Sequence, residues 1–202
     1  MSTSRRSRRI AHAAIAARLK AANGMSWIDA PVSGEATGAA DGTLAVMAGG
    51  NPPDLDRVKP YVLTMSQRFT RMGAIGAGQG AKLCNQIIAA CAMVVLSEAT
   101  RFAVDVGIDA ARLPEALAGG FADSIPLQLF VPRMANELAE PAIGPVSIII
   151  KDLDTIADVA RTHATPLPMA SLAAQMLRLL RSSCGPRADV LEVYKLGEPQ
   201  SR

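Results

Sequence analysis

The feature that most constrains this chain is a long apolar segment in its middle, residues 80–106. It contains neither glycine nor proline after Gly80, so it predicts one helix of about 28 residues that ends at Gly107. Its large apolar side chains point in several directions around the helix: Ile87, Ile88, Met93, Val94, Val95 and Leu96. A helix that is apolar around most of its circumference has to be buried on most sides. We therefore expect a second copy of the chain to cover part of it.

The sequence differs in pattern before and after this helix. Before it, we predict helices in SRRSRRIAHAAIAARLKAANG and NPPDLDRVKPYVLTM. We predict strands in MSWIDAPVSG, where the strand ends at Pro31, and in GTLAVMAGG and RFTRMG. After it, apolar spacings of three and four residues predict only helices, capped by Asp109 and by either Asp123 or Ser124. The sequence thus predicts a mixed α/β part, residues 1–75, followed by a larger all-α domain, residues 76–202, with the boundary at glycines.

The composition disfavours several classes of partner. Aromatic residues make up 3% of the chain, which argues against nucleic-acid surfaces that stack bases on rings. The net charge of +3 is local, because residues 1–28 are basic and contain no acid. That segment is either an amphipathic helix with a solvated basic face or a mimic of an organelle transit peptide. No apolar run approaches the roughly 20 residues that a membrane span requires. We expect a cytoplasmic protein that binds neither nucleic acid nor membrane.

Metal binding is also not expected from the sequence. The chain contains two histidines, and its three cysteines include no C-x-x-C pair. Clustered histidines and cysteines are the usual ligands of structural and catalytic zinc. We therefore predict no metal site.

Three polar residues stand near the beginning of the long helix. Lys82, Asn85 and Gln86 are three and four residues apart, which places both amides beside the lysine. Such a lysine could donate a proton to a substrate oxygen, an effect worth roughly 10²–10⁴ in rate. A lysine in the first turn of a helix is usually just solvated, so the cluster alone leaves both interpretations open.

The glycines Gly76, Gly78 and Gly80 do not form a dinucleotide-binding fingerprint. That fingerprint requires G-x-G-x-x-G between a strand and a helix of a βαβ unit, with an acid about 20 residues later. Here the glycines precede a helix that leads only to further helices. We interpret them as a linker between domains.

Two other short motifs are candidates for ligand contacts. In DAPVSGEATGAADGTLAVMAGG, residues 29–50, Ser33 and Gly34 follow a strand-like run. Glycine lets the main chain come close to a ligand and serine offers a hydroxyl, which indicates a site for a small polar molecule. The pair Lys151-Asp152 follows SIII. It marks either the edge of a buried face or an ordinary surface pair, and the residues alone favour the surface pair.

In this order, the motifs DAPVSG…A..G.L..M.GG, G..G.G…K and KDL resemble the β-hydroxyacid dehydrogenase family, over about residues 1–195. The resemblance is greatest to 3-hydroxyisobutyrate dehydrogenases and tartronate semialdehyde (2-hydroxy-3-oxopropionate) reductases. It implies that Lys82 is the catalytic lysine. It also implies substrate contacts from Ser33, Gly34, Asn85, Gln86 and Asp152. Cofactor contacts are implied for Lys151 and, through the segment MSTS, for Thr3.

The resemblance implies a fold and an activity as well. The expected fold is an α/β remnant of a Rossmann-type NAD(P)-binding domain, followed by the all-helical domain that binds substrate and forms dimers. The expected reaction interconverts a small 3-hydroxy acid and its semialdehyde with NAD or NADP. Glu35 and Gly144 depart from the family pattern, and the family's G-x-G-x-x-G half is missing. We therefore expect weak cofactor binding and impaired turnover in a truncated chain.

Three other interpretations compete with this one. The first is a non-catalytic helical module for dimerisation or for binding a small acid. The second is a relative of 6-phosphogluconate dehydrogenase, disfavoured because no cluster of basic side chains for a phosphate surrounds Lys82. The third is an imine reductase, disfavoured because many of those enzymes lack the lysine that is retained here as Lys82.

Overall fold

A three-stranded sheet organises the first part of the chain. The computed structural model describes residues 7–137 and 142–197, without the side chains of residues 7–11, 35 and 36. The strands are β1 (Val32–Ser33), β2 (Leu44–Gly49) and β3 (Ser66–Gly73), in the order β1-β2-β3. Strand β2 is antiparallel to β1 and parallel to β3. Strand β2 lies within its predicted segment, whereas β1 begins one residue after the predicted end at Pro31 and β3 begins two residues before RFTRMG.

Three helices accompany this sheet: α1 (Ser7–Asn23), α2 (Glu35–Ala40) and α3 (Pro52–Val62). Parallel strands require a crossover connection, and α3 supplies it between β2 and β3. Prolines suit its first turn because an N–H there has no helical partner, and Asp54 stabilises the positive end of the helix dipole. On the inner face of α3, the side chain of Leu55 is buried. The short helix α2 was not predicted, because its small residues appeared to belong to the turn before β2.

The long helix α4 spans Ala77–Asp105, close to the predicted range. The chain divides into two compact units inside this helix, between Asn85 and Gln86. The predicted domain boundary after residue 75 stays a prediction. By length and composition, α4 is apolar enough to cross a membrane, so the expectation that no segment passes this test is wrong. One such helix is weak evidence for a membrane protein, because core helices of soluble proteins pass the same test.

The second unit continues with helices, as predicted. They are α5 (Leu113–Leu117), α6 (Ile125–Ala135), α7 (Val146–Thr162) and α8 (Pro168–Cys184), with 3₁₀ segments at Ala110–Arg112 and Val190–Gly197. Between the two predicted caps of α6, the structure selects Ser124, which accepts a hydrogen bond from the Leu127 N–H. Asp123 instead accepts hydrogen bonds from the Gln128 amide and the Gly119 N–H, and these bonds lower the pKa of its carboxyl.

The core of the second unit lies along α4, which buries Ala90, Met93, Val94, Leu96 and Ala103, and along α6, α7, α8 and the C-terminal 3₁₀ segment. On α7 and α8, buried residues recur every three or four positions, which gives each helix one continuous apolar face. The buried residues are Leu127, Phe130, Val131, Met134, Val146, Ile150, Leu153, Ile156, Ala170, Ala173, Ala174, Leu177, Leu180, Val190, Leu191 and Val193. Alanines on α8 allow it to pack closely against α7.

Two of the three glycines at the start of α4 are packed rather than flexible, and the interpretation of residues 76–80 as a linker between domains stays a prediction. Gly76 and Gly78 are buried, and Gly76 has φ +88°, which favours glycine. A Cβ atom added to Gly78 would lie 2.3 Å from the Met47 carbonyl oxygen and 2.8 Å from an Asp29 carboxylate oxygen. A Cβ atom at Gly80 would meet nothing within 4 Å.

These two glycines predict opposite effects of the same substitution. Gly78→Ala should destabilise the first unit by about 1–3 kcal/mol, because the new methyl group overlaps backbone that cannot move freely. Gly80→Ala should be neutral or stabilise by up to about 1 kcal/mol, since alanine favours a helix. Urea unfolding followed by the fluorescence of Trp27, the single tryptophan of the chain, measures both. Equal stabilities of the two variants would contradict the packing described here.

Candidate active site

A buried carboxylate holds the start of α4. Asp29 is 3% exposed, and its two oxygens accept hydrogen bonds from the backbone N–H groups of Gly76, at 2.5 Å, and Gln79, at 2.8 Å. The Asp29 backbone is paired with Gly49 in an antiparallel bridge, with N···O distances of 3.0 and 2.8 Å. Asp29 therefore connects the edge of the sheet to the first turn of α4.

The predicted anion-binding pair lies where β1 ends. Ser33 is the last residue of β1 and is half-buried, and Gly34 follows it immediately before α2. Gly34 has φ +132°, and a Cβ atom there would lie 3.2 Å from Leu44 Cδ2. The backbone therefore needs glycine at this position for its own conformation, whether or not a ligand approaches. The role of Ser33 and Gly34 in binding a substrate carboxylate stays a prediction.

Lys82 and Asn85 lie on α4 in the first unit, both half-buried. Because they are three residues apart on one helix, their side chains leave the same side of it. Within the described part of the chain, the Lys82 amine forms no ion pair or hydrogen bond, whereas Asn85 has a polar partner. The amine is thus available to a substrate.

In the second unit, two predicted substrate contacts meet directly. The side-chain amide of Gln86, on α4, donates a hydrogen bond to Asp152 Oδ2, on α7, at 2.9 Å. Lys151 forms a long ion pair with the same carboxylate: its side chain is 66% exposed and its Nζ lies 4.0 Å from Asp152 Oδ1. Lys151-Asp152 is therefore neither fully buried nor an isolated surface pair. The Asp152 carboxylate accepts a hydrogen bond from Gln86 of α4, whereas most of the Lys151 side chain is exposed to solvent.

Thr3 lies outside the residues that the structure describes. A cavity of about 540 Å³ lies between α7 and α8, bordered by Asp154, Arg161, Ser171 and Arg178 among others. None of the predicted site residues lines this cavity.

The role of Asp29 was missed in the sequence, although it opens the DAPVSG motif. A charged residue inside the apolar run WIDAPV, with a run of glycines later in the chain, was the available signal. An acid in a strand that pairs with buried backbone requires partners for its oxygens. The backbone N–H groups of Gly76 and Gln79 supply these partners, which the sequence alone did not connect to Asp29.

The start of α4 bears on cofactor binding. Rossmann-type domains hold the pyrophosphate of a dinucleotide on the N–H groups at a helix N-terminus. Here the Gly76 and Gln79 N–H groups are occupied by the Asp29 carboxylate. This helix start does not fit a pyrophosphate, which agrees with the rejection of a dinucleotide fingerprint in the glycine run. Lys151 remains as a described candidate contact for the nicotinamide end.

Comparison with known proteins gives two family matches. A family model described as NAD-binding of NADP-dependent 3-hydroxyisobutyrate dehydrogenase matches residues 76–197. A second, the NAD-binding domain of 6-phosphogluconate dehydrogenase, matches residues 2–76. Together they match both parts of the chain, and the first alone covers more than half of it.

Individual relatives agree with these matches. A 2-hydroxy-3-oxopropionate reductase of Escherichia coli is 35% identical over 82% of this chain and 56% of its own length. An NAD-dependent L-serine dehydrogenase of Pseudomonas aeruginosa is 33% identical over 87% of this chain and 61% of its own length. A crystal structure of 3-hydroxyisobutyrate dehydrogenase from Salmonella typhimurium aligns with a TM-score of 0.79 and 28% identity, over 92% of this chain and 65% of that one. The chain thus spans less than two thirds of each of these proteins.

The Gln86–Asp152 contact predicts a measurable coupling within the second unit. In a double-mutant cycle with Gln86→Ala and Asp152→Ala, we expect a coupling of about 1 kcal/mol, because the bond involves a charged acceptor that is partly screened by solvent. Chemical denaturation followed by circular dichroism gives the free energies. The matched cycle with Lys151→Ala should give a coupling near zero, because that pair is long and exposed. A coupling no larger for Gln86 than for Lys151 would contradict the geometry.

Proposed function

Because this chain belongs to the β-hydroxyacid dehydrogenase family, we propose that it provides the substrate-binding and proton-transfer part of an NAD(P)-dependent oxidoreductase. The reaction interconverts a small 3-hydroxy acid and its semialdehyde. The observation that carries the proposal is the Gln86–Asp152 hydrogen bond. It joins two motifs, far apart in the sequence, to which the resemblance assigns substrate contacts.

The proposed roles follow the chemistry of each side chain. Lys82 exchanges the proton of the substrate hydroxyl, because its amine has no competing partner among the described residues. Ser33 and Gly34 bind the substrate carboxylate through the hydroxyl and the accessible backbone. The substrate is oriented by Asn85, Gln86 and Asp152. The hydrogen bond from Gln86 to Asp152 holds the Gln86 amide in place. When bound, NAD or NADP supplies or accepts the hydride, with Lys151 and Thr3 as its proposed contacts.

The names of the relatives support the substrate class. The E. coli relative is a 2-hydroxy-3-oxopropionate reductase and the P. aeruginosa relative is an L-serine dehydrogenase. Both named compounds are three-carbon carboxylates with oxygen on the third carbon. We propose the same class for this chain, acting in the cytoplasm, with residues 1–75 contributing to the dinucleotide-binding domain and residues 76–202 forming the helical domain.

A non-catalytic role remains the competing proposal, because α4 presents an apolar stripe. Ile88, Val95 and Phe102 are seven residues apart, share one side of the helix, and are 70%, 50% and 67% exposed. Seven-residue spacing of apolar side chains is the pattern by which helices pack on one another. We propose that a second copy of the chain covers this stripe, either to complete an enzyme or as the main role of the helical unit.

The proposed dimer predicts that charge on the stripe disrupts it. Val95→Glu and Phe102→Glu should each convert a dimer into a monomer at micromolar concentration, because the carboxylate would be buried at the interface. Light scattering measures the mass. Leu129→Glu is the control, since Leu129 is similarly exposed on α6, away from the stripe, and the dimer should persist. A monomeric wild-type chain with normal helicity would exclude this interface.

The catalytic proposal is tested by substitution of Lys82. A chimera that places the nucleotide-binding part of the E. coli reductase before this chain should reduce tartronate semialdehyde with NADH or NADPH. Lys82→Ala should lower kcat by about 10²-fold or more, with an unchanged circular dichroism spectrum. Lys59→Ala, on the exposed face of α3, is the control and should have no effect.

Two results would overturn the proposal. A rate near wild type for Lys82→Ala would remove the catalytic role of that lysine. A chimera without turnover, whose helical unit still binds tartronate or forms dimers, would favour the non-catalytic role.

A further inference from the structure

Asp29 supplies the first turn of α4 with partners that the helix itself lacks. The first N–H groups of an α-helix have no acceptor within the helix. Here Gly76, directly before α4, and Gln79, in its first turn, donate to opposite oxygens of one carboxylate, at 2.5 and 2.8 Å. The Ala77 N–H donates to the Ala74 carbonyl oxygen at 2.9 Å. The negative charge also suits the positive end of the helix dipole.

The carboxylate is itself held from two sides. The backbone of Asp29 is paired with Gly49 of β2. A Cβ atom on Gly49 would lie 2.6 Å from Asp29 Oδ1, and one on Gly78 would lie 2.8 Å from Oδ2. Glycine at both positions therefore lets the sheet, the carboxylate and the helix approach one another. With 3% exposure, Asp29 is almost entirely removed from bulk water, whereas a substrate ligand has to be reachable from it.

The hydrogen bonds from Gly76 and Gln79, which are three residues apart, fix the position of α4 along its axis. They also fix its rotation, because N–H groups at different angles around the axis must reach the same carboxylate. Lys82 lies three residues after Gln79, and Asn85 lies six residues after Gln79. All three belong to the same unit. The direction in which both side chains leave α4 is therefore set at Asp29.

We propose that Asp29 is a positioning residue for Lys82 and Asn85: it caps α4 from the sheet and sets the rotation of the helix that carries them. This inference rests on the proposed function for the role of Lys82, but the capping itself does not. Asp29 does not contact substrate in this account, although it begins the motif that supplies Ser33 and Gly34.

The capping is tested on the wild-type chain by hydrogen exchange. Amides at the start of an uncapped helix exchange readily because the end frays. We expect the Gly76 and Gln79 amides to be protected to the level of amides in the middle of α4. Exchange of either amide at the rate of an unstructured peptide would overturn the proposal.

Asp29→Asn tests the consequence for Lys82, because it keeps the shape but replaces one acceptor oxygen by a donor NH₂ group. We expect exchange over residues 76–85 to rise about tenfold. The rate of Lys82 acetylation by acetic anhydride, and its pH profile, should change relative to Lys59 in the same chain. Unchanged exchange and unchanged Lys82 reactivity in a folded variant would overturn the proposal.

Asp189→Asn is the matched control in the second unit. Asp189 likewise accepts backbone hydrogen bonds, from Ile143 at 2.6 Å and Gly144 at 2.9 Å. Its substitution should increase exchange near residues 142–146 and leave residues 76–85 and Lys82 reactivity unchanged. A change at Lys82 equal to that of Asp29→Asn would show a general loss of stability and would contradict positioning.

In the chimera, Asp29→Asn should lower kcat about tenfold and leave the KM for NADH or NADPH unchanged, since the cofactor contacts are elsewhere. If Lys82→Ala has no effect while Asp29→Asn loosens the helix, the proposed function fails and the capping stands. If Lys82→Ala abolishes turnover while Asp29→Asn leaves kcat at the wild-type value, the positioning role fails and the proposed function stands.

Discussion

The hydrogen bonds from the start of α4 to the buried carboxylate of Asp29 are the interaction on which the first unit depends. A carboxylate that loses water must be satisfied by other donors, and here two backbone N–H groups supply them. The same bonds complete a helix end that would otherwise lack acceptors. One residue thus meets two requirements, and neither the sheet edge nor the first turn of α4 can shift without breaking both.

This constraint explains why small residues are so frequent around the sheet. Their abundance first suggested that a ligand approaches the main chain, and for Ser33 that remains the proposal. For Gly49 and Gly78 the reason is different, because a methyl group at either position would overlap the Asp29 carboxylate or neighbouring backbone. Gly34 is required by its positive φ. Glycine content alone therefore does not distinguish a binding site from close packing, whereas the contacts of each glycine do.

The regular elements were accessible from the sequence, because periodicity and caps are local. The long helix, the α7–α8 pair and the caps Asp109 and Ser124 follow from apolar spacing and residue type. Lys82 and the pair Lys151-Asp152 stood out by residue type and spacing, and the family resemblance assigned their roles. What the sequence could not provide was the pairing of distant residues: Asp29 with Gly76, and Gln86 with Asp152. Such contacts depend on how separate elements pack, and helix α2 was missed because its residues are equally compatible with a turn.

The central claim is that Asp29 fixes the start of the helix that carries Lys82, and NMR can detect the bonds themselves. In the isotope-labelled chain, scalar couplings across hydrogen bonds should connect the amide nitrogens of Gly76 and Gln79 to the carboxyl carbon of Asp29. The account predicts a coupling for both amides, and the loss of at least one of them in Asp29→Asn, which keeps a single acceptor oxygen. Absence of both couplings in the folded wild-type chain, or their unchanged presence in that variant, would contradict it.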